Sequence, residues 1–229
     1  MIHHLVFGRK AIVKNEGLIL DLPFQNSFVD ATGKNTIIAG GTSNLPTFTL
    51  EGGEYAATFN GSQSLKTNAN FNIGTDKVSV SFWMKTTFTG SGAKFMIDSS
   101  PDFDRNNAFL VAYNNYGLLN KIQGWSKNQN YNNVTNPTII NDGVWRHFVF
   151  VIDRTQNAEN EIKCYENGVI NTVTKEWSQD NSGNFGNNIL FIGQMGGIYS
   201  GFNGQMKFLK IFNYPLSQTE ITNLYNKIM

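Results

Sequence analysis

The sequence predicts an all-β fold in which two antiparallel sheets pack as a sandwich, closed by a short C-terminal helix. Three observations predict it. Aromatic and β-branched residues run from Trp145 to Asp153, and Val78–Lys85 and Glu161–Tyr165 alternate apolar with polar residues at the period of a strand. Asn167-Gly168 supplies the positive-φ positions of a tight hairpin turn. At the C-terminal end Ser217 and Glu220 have capping-box spacing, and Ile221, Leu224 and Ile228 share one helical face.

Taken in order, residues 1 to 16 carry two apolar stretches, Leu5-Val6-Phe7 and Ala11-Ile12-Val13, split by Gly8-Arg9-Lys10. They read as a strand or hairpin preceding the main domain, so residues 1–17 are taken as a docking or edge-strand segment and 18–229 as one domain. Leu18 to Phe24 is a strand, followed by a polar loop through Asp30, Gly33 and Asn35. Tyr55 to Ser62 closes on its Asn-Gly turn. Further strands are predicted at Lys94–Ile97, Ala108–Tyr113, Lys121–Trp125, Ile189–Gly193 and Met206–Phe212. Asn114–Asn120 and Ser126–Asn136, crowded with Asn and Gly, read as loops.

Composition bounds the function. A chain of 229 residues, 40% hydrophobic and 13% aromatic, can bury a sizeable core. Charged residues are only 15% and the net charge is +1, so no long-range field gathers polyanions and nucleic acid is not an expected partner. Cys164 is the only cysteine, which excludes an internal disulfide and, in its alternating context, reads as a small buried hydrophobe. No apolar run reaches the roughly 20 residues of a membrane helix. The N-terminal apolar stretch is too short for a secretory signal.

The order of these signals, from Tyr55-Ala56-Ala57-Thr58-Phe59-Asn60-Gly61 through Val78–Lys85 and Trp145-Arg146-His147 to Phe202-Asn203-Gly204-Gln205-Met206-Lys207, resembles the laminin-G-like jelly rolls of the concanavalin A-like lectin/glucanase superfamily. The likeness runs over roughly residues 18 to 226. It implies a jelly roll with Trp83 and Trp145 in the core and His147 in a structural position. Relatives include lectins, adhesion modules, enzymes and virion components, so the fold alone does not choose a function.

Laminarinase-type relatives need two carboxylates about 5 Å apart on one strand face. Here the nearest clusters, Glu51 with Glu54 and Glu159 with Glu161, are flanked by turn residues. The chain is therefore read as non-catalytic, with no catalytic residue assigned. No cofactor is assigned either, and calcium is the one weighed. Many relatives hold it with an Asp in the closing motif, where this chain has Lys207, whose ammonium can take the cation's electrostatic role against Asp21 or Asp30. A second, partial calcium-loop pattern is Asp102, Asp104 and Asn106. Carbohydrate binding needs aromatic rings beside hydrogen-bonding side chains, and the candidates are Trp125, Tyr116, Tyr131 and Tyr113.

The leading expectation is a surface or structural protein of a phage virion, facing a receptor or glycan. Leu5, Phe7, Ile12 and Val13 would dock it to other virion proteins or to copies of itself. The alternatives are an exported carbohydrate-binding module, extracellular or at a cell surface, and a glycoside hydrolase of the same fold.

Overall fold

In the computed structural model the described residues are 16–41, 44–100, 107–196 and 200–226. They form seventeen strands and one α-helix. The first eight strands are β1 (Leu18–Leu22), β2 (Ile37–Ala39), β3 (Thr47–Glu51), β4 (Glu54–Asn60), β5 (Leu65–Thr67), β6 (Phe71–Asn72), β7 (Lys77–Lys85) and β8 (Lys94–Asp98). Then come β9 (Ala108–Tyr113), β10 (Ile122–Lys127), β11 (Tyr131–Thr135), β12 (Arg146–Asp153), β13 (Ile162–Glu166) and β14 (Val169–Ile170). The chain closes with β15 (Asn187–Asn188), β16 (Phe191–Ile192), β17 (Asn203–Phe212) and α1 (Gln218–Asn226).

Two antiparallel sheets face each other. One runs β14-β13-β12-β7-β17-β4-β3, with β1 also paired to β17, and the other runs β11-β10-β9-β8-β16-β5-β2. Alternation decides what lies between them. Val78, Val80, Phe82 and Met84 of β7 and Phe148, Phe150 and Ile152 of β12 point inward from the first sheet. Phe109, Val111, Tyr113, Ile122 and Val134 meet them from the second, all in one buried cluster. Cys164 belongs to that cluster, fully buried, and its thiol is pushed up to about 12 by desolvation, as expected of a small inert hydrophobe.

The other face of the first sheet is half covered. Val149, Val151, Tyr165 and Phe212 form a second cluster with Leu216 and with Ile221 and Leu224 of α1. The capping box forms as predicted: the backbone N–H and Oγ of Ser217 donate to Glu220 Oε2 at 2.8 and 2.7 Å, and Glu220 N–H returns to Ser217 Oγ at 3.4 Å. The turn signals also hold. Asn167 and Gly168 have φ of 51° and 82° between β13 and β14, and Gly52 and Gly53 join β3 to β4.

Three expectations need correcting. The stretch 126–136, expected as a loop, contains β11, an edge strand whose polar side chains conceal it. Asn132 is buried because its Nδ2 donates to Ala158 O and Glu161 Oε2, at 2.9 and 2.8 Å. Trp145 is not in the core: it shares the strand parity of His147, on the outer face of the first sheet, where Lys85 and Lys207 lie 5.2 and 4.7 Å from its ring centroid. The closing strand is also longer than predicted. It bulges at Phe208, whose φ is 54°, so that the pairing with β7 slips between Lys207 and Lys210.

That bulge decides which lysine meets the acidic loop. Lys207 pairs with Glu54 at 2.6 Å, away from both Asp21 and Asp30, whereas Lys210 Nζ reaches Asp21 Oδ2 at 2.5 Å. Asp30 is held by its own loop, accepting from the backbone N–H of Asp21, Thr32 and Asn35 and from the side chains of Thr32 and Asn35. Burial opposes its charge, and those hydrogen bonds outweigh burial, keeping its carboxyl below the ordinary value.

Candidate functional site

The sequence candidates for ring stacking are scattered by strand parity. Tyr113 is fully buried in the main core, with its hydroxyl 3.0 Å from Phe88 O and from Asn120 Oδ1, and desolvation raises its pKa to about 12. It is therefore not a surface ring. Tyr116 sits in a single 3-10 turn, Asn115–Gly117, and its side chain lies outside the described residues. Asp102, Asp104 and Asn106 lie outside them too, as do Leu5, Phe7, Ile12 and Val13. Among the described residues no group of three or more His, Cys, Asp or Glu side chains is placed to hold a metal ion.

Trp125 points out from the second sheet but is not itself an exposed ring. In β10, Ile122 points into the core and Gly124 sits against the ring of Phe150, so Gln123 and Trp125 point outward from the second sheet. Trp125 stands opposite Leu110 of β9 and Asn133 of β11. It is nevertheless only 6% exposed, because Trp177 packs on it with centroids 5.2 Å apart and planes at 42°. Trp177 is 36% exposed and Tyr131, on β11, 37%. Lys127 Nζ lies 4.6 Å from the Tyr131 ring centroid.

Trp177 arrives on a strap, residues 171–182, that runs along the edge of β11. Thr135 and Thr174 exchange backbone hydrogen bonds at 2.7 and 3.1 Å, and Asn133 N–H donates to Trp177 O at 3.2 Å. Below the ring a side-chain network continues. Gln123 Nε2 donates to Thr135 Oγ1 at 2.9 Å, and Thr135 Oγ1 donates to Glu176 Oε2 at 3.1 Å. Asn133 Nδ2 donates to the same Glu176 oxygen at 2.5 Å. The result is a two-tryptophan platform over a buried amide layer, with the exposed Glu176 beside Trp177 on the strap and Tyr131 on the same face of the sheet. Such a surface suits the C–H faces and hydroxyls of a sugar chain. Trp177 is not among the four sequence candidates, although like Trp125 it stands beside Ser- and Gln-containing sequence; nothing in the sequence brings the two rings together.

The carboxylate clusters are occupied otherwise. Glu51 and Glu54 flank the β3–β4 turn and pair with Lys85 and Lys207. Glu161 is fully buried, accepting from Asn132 and Asn181, while Glu159 is exposed beside Lys175 and Ser178. A concavity of about 270 Å³ opens on the first sheet, among Thr58, Lys85, Thr86, Asn203 and Gln205. The aromatic residue in its wall, Phe59, is buried, so it offers no exposed ring.

The family model of the concanavalin A-like lectin/glucanase superfamily, laminin-G type, matches residues 59–222. No curated protein matches the chain by sequence. Among solved structures, the chain is similar to domain 4 of AbnA, a GH43 extracellular arabinanase from Geobacillus stearothermophilus, in complex with arabinotriose. The TM-score is 0.69 at 20% identity, over 91% of this chain and 98% of that one. It is also similar to the binding domain of botulinum neurotoxin DC in complex with SialylT, with a TM-score of 0.68 at 16% identity, over 94% of this chain. The serotype D ligand-binding domain in complex with N-acetylneuraminic acid gives 0.67 at 16% identity, over 93% of this chain. The chain spans about half the length of these toxin chains, 52% and 51%.

Proposed function

The chain belongs to the concanavalin A-like lectin/glucanase superfamily, and from that premise we propose that it is a non-catalytic carbohydrate-binding module whose contact face is the Trp177–Trp125 platform. The observation that carries this reading is the partly exposed Trp177 ring, seated on a second tryptophan and bordered by the exposed Tyr131. Isolated exposed apolar residues are ordinary on protein surfaces. A tryptophan held rigidly over another, with hydrogen-bonding side chains around it, is a recognition surface of low conformational entropy. That similar domains were solved with arabinotriose and with sialic-acid ligands supports the class of ligand.

Trp177, not Trp125, is the ring placed to touch a sugar; Trp125 supports it from below. A glycan array identifies the ligand, and titration of the best glycan against Trp177→Ala is expected to show a loss of about ten- to a hundredfold in affinity, or roughly 1–3 kcal/mol. Unchanged affinity in that variant, or hydrolysis of the bound glycan, overturns the reading. Presentation on a phage particle is a narrower proposal, motivated by the apolar N-terminal segment, and none of the similar structures named above is a phage protein. Removal of residues 1–17 tests it: the docking role requires a folded domain that no longer enters particles.

A further inference from the structure

We propose that Asn133 is the positioning residue of this platform: it sets where Trp177 sits and so controls glycan affinity without touching the glycan. The inference rests on the carbohydrate-binding reading. Asn133 is fully buried under the strap. Its Oδ1 accepts from the backbone N–H of both Glu176 and Trp177, at 3.1 and 3.0 Å. Its Nδ2 donates to Glu176 Oε2 at 2.5 Å, and its own backbone N–H donates to Trp177 O at 3.2 Å. The indole is therefore clamped through the peptide groups on both sides of its Cα.

The chemistry selects asparagine. The position needs a side chain that accepts two N–H groups with one atom and donates to a carboxylate with another, and only a primary amide of this length does both. Aspartate keeps the acceptor, loses the donor, and sets a carboxylate against that of Glu176. Adding Glu176→Gln to Asn133→Asp then restores the pairing with its polarity reversed. The amide introduced on the strap can donate through its nitrogen to the carboxylate introduced on β11, and its oxygen can still accept from Thr135.

Three variants test this: Asn133→Asp, Glu176→Gln and the double variant. Two indoles packed 5.2 Å apart at a tilt of 42° give an exciton couplet in circular dichroism, and Trp177→Ala defines its zero. In Asn133→Asp the couplet is expected to collapse, amide exchange at residues 176 and 177 to accelerate by about a hundredfold, and affinity for arabinotriose or N-acetylneuraminic acid, whichever the native chain binds, to fall by about tenfold or more. Glu176→Gln alone keeps the couplet, and the double variant regains couplet, protection and affinity together. A native couplet and native protection in Asn133→Asp overturn the proposal, as does a double variant no better than the single. If Asn133→Asp does not fold, Asn133→Ser, which keeps one acceptor and loses the amide donor, is read in the same way. A native chain that binds neither sugar, with couplet and exchange behaving as stated, counts against the carbohydrate reading and leaves the clamp standing.

Discussion

His147 Nε2 lies 2.9 Å from Ser81 Oγ, and the pair is sealed beneath α1. The imidazole packs against Trp83 and Tyr225, at centroid distances of 5.4 and 6.1 Å, and those two rings stack on each other at 5.6 Å. His147 Nδ1 and Trp83 Nε1 are buried without a hydrogen-bond partner among the described residues. Desolvation lowers the histidine's pKa from 6.5 to about 4. The histidine is a neutral wedge between sheet and helix.

A pH dependence follows. The group is neutral in the native state and ordinary in the unfolded one, so its contribution is fully present above pH 6.5 and is lost as pH falls from 6.5 towards 4. At most about 3 kcal/mol is involved, 1.36 kcal/mol for each pKa unit. Asp30 and Asp153, held below their ordinary values, lose their contributions in a separate, lower window, below about pH 4. Urea denaturation across pH 4 to 7 is expected to show the upper decline, and His147→Gln to flatten it. An equal slope in both proteins would show that the decline belongs to other groups.

Strand parity explains what is legible in the sequence and what is not. The core strands are legible because β7 alternates with period two while β9 and β12 are short apolar runs rich in aromatic and β-branched residues, and the helix because its capping box is local. The edge strand β11 is not, since Tyr-Asn-Asn-Val-Thr looks like a loop until partners for Asn132 and Asn133 arrive from residues 158–177, far along the chain. The same distance hides the platform. Trp125 is recognisable as an aromatic beside polar sequence, but the ring that covers it comes 52 residues later on a strap with no periodic pattern.

The contact between Lys210 and Asp21 bears on calcium. An ammonium beside Asp21 Oδ2 and five hydrogen bonds onto Asp30 balance the charge of the opening loop from within the chain. Chelator is therefore expected to leave the melting temperature unchanged, because a loop satisfied in this way needs no ion to stabilise it by mass action. Lys210→Met is expected to cost about 2 kcal/mol, since Asp21 Oδ1 is already buried without a partner among the described residues and its charge would then stand alone. A fall in melting temperature with chelator that added calcium reverses would return the loop to the metal-binding class.

The two sheets approach closely beside the platform, where Gly124 faces Phe150. A Cβ at position 124 would stand 2.3 Å from Phe150 Cδ1 and 2.7 Å from its Cε1, too near for a ring packed in the main core to stay where it is. Glycine is needed here for space and not for backbone freedom. Gly124→Ala should therefore force the sheets apart or the ring off its rotamer, costing about 1–3 kcal/mol, and it should disturb Trp125, the next residue on the opposite face. Phe150→Leu alone removes ring atoms from the core and is also destabilising. Combined, the smaller leucine vacates the space that the alanine needs, so the double variant should be more stable than the sum of the two losses by about 1 kcal/mol or more. Urea denaturation of the four proteins measures that coupling, and strictly additive losses would mean that the Gly124 site relaxes without involving Phe150.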